Sequence, residues 1–181
     1  MTAQTGSGGN RMTPEASIGD YTVEPERSRI RIRMKHMFGL GTVLGSMKVS
    51  SGVISVTSPT SGEAKVAIDA MSFESGNRWR DKSVRSATFL DAGRAPRIEF
   101  DGWMANVPEG NGIVDGRLSF KGVTREVSLN VDAIVNHDRN LEVQAHVDLD
   151  RREFGLNRLR GLVGTKATII VELCAVQSDD S

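Results

Sequence analysis

Between residues 27 and 38 the chain reads RSRIRIRMKHMF, and basic and apolar side chains alternate almost without a break. Side chains of an extended strand point to opposite faces in turn, so Ile30, Ile32 and Met34 share one face while Arg29, Arg31, Arg33 and Lys35 take the other. The same period of two returns along most of the chain. Segments of this kind bury one face only by pairing edge to edge with others like them, which restricts the fold to sheets.

After a glycine-bearing turn at 38–45, a second strand has Val43, Met47 and Val49 in phase. Residues 62–72 place Ala64, Val66, Ile68 and Ala70 on one face. Residues 97–105 turn Ile98 and Phe100 inward, and 113–121 do the same with Val114, Leu118 and Phe120. A turn at Lys121-Gly122 leads into 123–135, with Val127, Leu129 and Val131 in phase. Residues 141–149 and 166–176 complete the series through Val143, Ala145, Val147 and Leu149, then Ala167, Ile169, Val171 and Leu173. About eight strands joined by short turns predict an all-β antiparallel barrel or sandwich. Eight closed strands leave an interior that either packs with side chains or holds one small ligand, and strand count alone does not separate the two.

The segment NRWRDKSVR, 77–85, does not alternate. Its Asn77 can cap a first turn, which predicts a short helix in the middle of the chain, over one end of the barrel.

Composition narrows the function classes. The 23 basic and 23 acidic residues cancel, which removes the long-range field expected of a nucleic-acid-binding protein. A single cysteine, Cys174, excludes an internal disulfide framework, and no Cys/His cluster has metal-ligand spacing. Without a signal-like start or an apolar run long enough to span a bilayer, the expectation is a soluble, cytoplasmic protein with no stable membrane insertion. Residues 1–18 are polar and glycine-rich and read as a tail, 19–177 as a single domain, and 178–181 as a second polar tail.

Apparent nucleotide motifs fail on context. GLGTVLG, 39–45, has the wrong final spacing for a dinucleotide fingerprint and continues as strand, and GNRWRDKS, 76–83, puts Asp81 where a phosphate loop needs glycine. No nucleophile constellation has local support, so no catalytic residue is assigned.

Two inward positions break the apolar rows. His36 follows Ile30, Ile32 and Met34, and Arg151 follows Val147 and Leu149. Together they could form a hydrogen-bonding station at the mouth of an apolar cavity. Alternatively each is satisfied by a carboxylate or by backbone carbonyls where the strands end, since an unpaired inward charge costs several kcal/mol.

The stretch SFESGNRWRDKSVRSATFLDAGRAPRIEF, 72–100, resembles the central signature of the YceI-like, lipocalin-like polyisoprenoid-binding proteins. The resemblance extends to Lys35-His36, the Gly-rich second strand, Gly116-Arg117-Leu118, Lys121-Gly122-Val123-Thr124 and Arg151-x-Glu153-Phe154-Gly155, covering about residues 20–176. It implies an eight-stranded lipocalin-like barrel around an elongated apolar pocket. The implied ligand is an isoprenoid quinone, a polyprenyl phosphate or a fatty-acyl lipid, with no other cofactor, and a homodimer is a possible assembly. Ser83 and Glu126 depart from the family pattern, which commonly has histidine and proline there.

These readings converge on a lipid carrier or sequestering protein. Ile30, Ile32, Met34, Met47, Ile68, Phe100, Leu118 and Phe120 are expected to line the pocket, and His36, Arg151 and Arg80 to meet the polar end. Trp79, Val84 and Phe89 are expected in the segment that covers it. The alternatives are an enzyme acting on a lipid head group with His36 as general base, and a cavity-free interaction module.

Overall fold

The fold is taken from a computed structural model, which describes residues 17–36, 41–104, 112–157 and 163–179; the side chains of His36 and Val163 lie outside that set. The segment read as an N-terminal tail lies outside it as far as residue 16. At Ser17 the chain is already held, its carbonyl accepting from the Tyr21 hydroxyl at 2.8 Å.

Among the described residues nine strands build an eight-stave antiparallel barrel. They are β1 (Gly19–Val23), β2 (Arg29–His36), β3 (Gly41–Ser58), β4 (Ser61–Glu74), β5 (Arg97–Met104), β6 (Gly112–Phe120), β7 (Val123–His137), β8 (Asn140–Asp150) and β9 (Val163–Gln177). Neighbours in sequence pair in space from β2 to β9, and a β2–β9 ladder closes the cylinder. Closure removes the free edges on which open sheets aggregate.

β1 pairs with β3 and β9, the same two strands that flank β2. β1 and β2 are therefore one stave, interrupted by a 3-10 turn at Pro25–Arg27. The buried Ser28 repairs the ladder at the break: its hydroxyl accepts from the Cys174 N–H at 3.0 Å and donates to the Cys174 carbonyl at 3.3 Å. Reading the first strand from residue 27 misses β1, because Pro25 and the charges around it hide the continuity.

Two bulges reset which face is inward. β3 shifts register against β4 between Val49 and Ser51, so Val53 is exposed whereas Ile54 and Val56 face the lumen. A second shift on β7, between Val131 and Ala133, leaves Asp132 outside the ladder. One extra residue turns every later side chain to the other face, which period-two counting cannot detect.

At one end of the barrel β2, β4, β6 and β8 finish. There β4 leads into helix α1 (Arg78–Arg85), and β8 leads into a 3-10 turn at Arg151–Phe154. The tight β6–β7 turn lies at this end too, with Lys121 at φ 50° and Gly122 at φ 73°; two left-handed residues in succession match the twist of the strands they join. Asn77 caps α1 as expected, its side-chain oxygen accepting from the amides of Trp79 at 3.1 Å and Arg80 at 3.0 Å. The outer basic row of β2 is exposed, and Arg31 reaches Glu172 of β9 at 2.5 Å.

Candidate functional site: an apolar cavity through the barrel

The inward rows do not meet in the middle. They enclose a cavity of about 1350 Å³ that reaches from the α1 end, at Val84, Phe89 and Arg151, to the opposite end, at Pro59, Met104 and Ile134. This is larger than the roughly 300–1,000 Å³ of ordinary small-molecule sites. It excludes the cavity-free module.

The wall is built from both phases of the sheet. Ile30, Ile32 and Met34 on β2 face Leu118 and Phe120 on β6, with Met47, Ile68 and Phe100 between them around the ring. Branched and unbranched aliphatic side chains dominate, with Phe73, Phe89, Phe100, Phe120 and Phe154 among them. β7 to β9 supply rows equal to those on the first strands, through residues such as Leu129, Val143, Val147, Ile169 and Leu173. Their alternation is as regular as that of β2, so the sequence signal for them was already present.

Polar groups concentrate at the ends. At the α1 end Arg80 and Ser83 line the cavity from the helix, and Arg151 lines it from the 3-10 turn. Arg80 is held from behind: its Nε donates to the Ser75 hydroxyl at 2.7 Å and an Nη to the Ser75 carbonyl at 2.9 Å. The same hydroxyl donates to the buried Asp81 carboxylate at 2.5 Å. Arg85 ties the helix to β4, donating from Nε to the Phe73 carbonyl at 2.9 Å, and the Lys121 ammonium donates to the Phe89 carbonyl at 2.9 Å. The cover over this end is thus fastened by cations on backbone oxygens.

Arg151 is only 4% exposed. Its Nε donates to the Gly164 carbonyl at 2.9 Å and an Nη to the Leu156 carbonyl, so it joins the 3-10 turn to the start of β9. Backbone carbonyls beyond the strand end are thus among the partners of this inward arginine, which also lines the cavity. Its burial does not come from strand phase, because β8 ends at Asp150. Asp150 itself caps the turn, accepting from the Arg152 amide at 2.9 Å; chiefly through its bond to the Arg152 side chain, its carboxyl is held down to about 2.

Of the remaining expected site residues, Val84 and Phe89 line the cavity. Trp79 does not. It is 84% exposed, the most open of the large apolar side chains among the described residues. The reason is helical geometry: Arg80 and Val84 lead the inward face of α1, the exposed Ser83 stands at its rim, and Trp79 lies beyond Ser83, about 100° from Arg80. The His36 side chain lies outside the described residues; its backbone pairs with Gly41 and, across a register shift, with Val163.

At the opposite end Asp132, the residue left over by the β7 bulge, stands at the rim of the cavity, and its carboxylate lies 2.8 Å from His146 Nδ1. The described residues hold no group of three or more His, Cys, Asp or Glu placed to bind a metal ion. None of their helices is long and apolar enough to cross a membrane.

The model of the YceI-like domain matches residues 21–175. The chain belongs to the YceI-like family. Among its relatives is a UPF0312 protein of Shewanella baltica strain OS185, 30% identical over 125 residues that span 66% of this chain and 64% of the relative. The chain thus matches a little under two thirds of that relative's length. Solved structures share the fold. BcnA of Burkholderia cenocepacia superposes with a TM-score of 0.76 at 20% identity, covering 85% of this chain and 99% of that one. A polyisoprenoid binding domain from Saccharophagus degradans, implicated in plant cell wall breakdown, gives a TM-score of 0.65 at 14% identity, covering 87% and 98%. The YceI-like architecture is therefore present across nearly the whole described chain, as an eight-stave antiparallel barrel with one helix.

Proposed function

We propose that this YceI-like barrel is a non-catalytic carrier or sequestering protein that takes one long isoprenoid chain, or a similar amphiphile, into its lumen. An isoprenoid quinone, a polyprenyl phosphate or a fatty-acyl lipid fits the chemistry. The observation that carries the reading is the cavity itself: about 1350 Å³, apolar along its wall, with polar groups gathered at its ends. The description of the Saccharophagus degradans neighbour as a polyisoprenoid binding domain supports the same class of ligand.

Energetics favour a long apolar tail over a compact ligand. At about 0.8 kcal/mol per buried carbon, each five-carbon unit contributes on the order of 4 kcal/mol before ordering costs. A run of about ten strand residues tilted near 40° rises roughly 26 Å, enough for several such units, and β3, β4, β7 and β9 are longer than that. A few polar contacts of about 1–3 kcal/mol select the head group and its direction. Arg80 and Arg151 make the α1 end the cationic one, so a phosphate or quinone head is assigned to that end.

Extraction of the purified protein with organic solvent and mass spectrometry of the extract tests the proposal. A stoichiometric long-chain lipid supports it; an empty protein that also takes up no isoprenoid or fatty-acyl probe overturns it.

A further inference from the structure

We infer that the α1 end of the barrel docks on the surface of an anionic phospholipid bilayer, with Trp79 seated among the head groups. The position of Trp79 prompts the inference. A tryptophan that is 84% exposed leaves a large apolar ring in water, whereas at a bilayer surface its ring and its N–H are both accommodated.

The charge around it has the sign such a surface requires. Residues 74–97 carry a local excess of three positive charges in a chain whose net charge is zero. Arg78 and Lys82 are exposed on α1 beside Trp79, and Arg94 is exposed in the turn that follows; none of the three forms an ion pair among the described residues. Asp81, the one acidic residue of the helix, is turned inward onto Ser75 and does not oppose them. Within 74–97 the other acidic residues are Glu74 and Asp91; from the 3-10 turn at the same end come the exposed Glu153 and the capping Asp150, which is paired with Arg152.

The site also adjoins the cavity. Trp79 and Ser83 are four residues apart and lie on neighbouring positions of one helix side, and Ser83 lines the lumen. Docking through Trp79 therefore sets the covered end of the barrel against the membrane from which a lipid would enter. That purpose rests on the carrier reading; the docking itself rests only on the surface.

The test is co-sedimentation of the full chain with vesicles of phosphatidylcholine alone, or of phosphatidylcholine mixed with phosphatidylglycerol. Trp79 emission is read in a Trp103→Phe background. The expected result is sedimentation with the anionic vesicles only, release by high salt, and a blue shift of Trp79 emission. Trp79→Ala and the double variant Arg78→Glu/Lys82→Glu should each weaken binding by more than about tenfold. Their circular dichroism and their uptake of an isoprenoid probe in solution should stay unchanged. Absence of binding to anionic vesicles, or binding unaltered in Trp79→Ala, overturns the inference. So does a dimer that Trp79→Ala converts to monomer while vesicle binding persists, since the patch would then join two copies. Vesicle binding by a protein that takes up no probe would retain the docking and discard the carrier reading.

Discussion

The ring of Phe100 lies against Gly102, so close that a Cβ built on the glycine would stand 2.5 Å from ring atom Cε1. Gly102 faces Gly116 across the β5–β6 ladder, and a Cβ there would come within 2.6 Å of the same ring. Two glycines side by side leave a trough in the wall, and the aromatic ring occupies it.

Gly102→Ala should therefore lower stability by about 1–3 kcal/mol, the usual cost of forcing extra volume into a packed site. The atoms nearest the added methyl belong to the side chains of Phe100 and Val114, so the penalty should shrink in a Phe100→Ala background. Denaturant unfolding of the four members of that cycle measures the coupling. Equal penalties in both backgrounds would show that the ring is not the obstacle.

Arg151 holds two backbone carbonyls at the mouth of the cavity. Arg151→Met leaves both without these donors, and a loss on the order of 3 kcal/mol is expected. Arg151→Lys should recover only part of it, since an ammonium lacks the planar fork that spans two acceptors. Chemical denaturation compares the three proteins; a methionine variant as stable as the parent would show the bonds to be dispensable.

Much of this barrel was legible in the sequence, and the exceptions have definite causes. The rows of β2, β5, β6, β8 and β9 follow period two, so their inward residues can be read by counting. Val53 and Ile54 are equally apolar neighbours, and only the bulge near Ser50 decides that Ile54 faces the lumen. β1 was obscured by the 3-10 turn that splits its stave. Arg151 is buried by a turn beyond the end of β8, which counting strand phase from Val147 and Leu149 does not describe. Trp79 is expected in the segment that covers the cavity and lies there on α1, but its ring is exposed, because the segment's place in the chain does not tell which side of the helix a residue takes. The size of the lumen was not legible, because it depends on how far opposite walls stand apart.

The cover at the α1 end depends on its cap. Asn77→Ala removes the acceptor for two amides of the first helical turn and should cost about 1 kcal/mol. Hydrogen exchange should report it locally, with faster exchange at the Trp79 and Arg80 amides and little change on the strands. Uniform acceleration across the barrel would mean that the cap supports the whole fold.

The Asp150 cap carries a pH dependence. Its carboxyl falls from an ordinary 3.8 to about 2 on folding, so the folded state holds its proton less tightly than the unfolded one. The stabilisation is thus fully present above the unfolded value and is lost as pH falls from about 4 to about 2. The stability difference between wild type and Asp150→Asn should be constant at neutral pH and narrow across that acidic window. A difference that persists unchanged at the acid end would show that the carboxylate charge does not act there.

Lipid uptake into the lumen is most directly tested by native mass spectrometry of the protein with a long polyprenyl probe, comparing wild type with Ile32→Trp. Ile32 lines the cavity from β2, so an indole there fills the lumen without touching the polar end, and circular dichroism verifies that the barrel is kept. A one-to-one adduct is expected in the wild type, weakened by more than about tenfold in the variant as its lumen is occupied. No adduct in the wild type, or an adduct of equal strength in both, would mean that the ligand does not reside in the barrel.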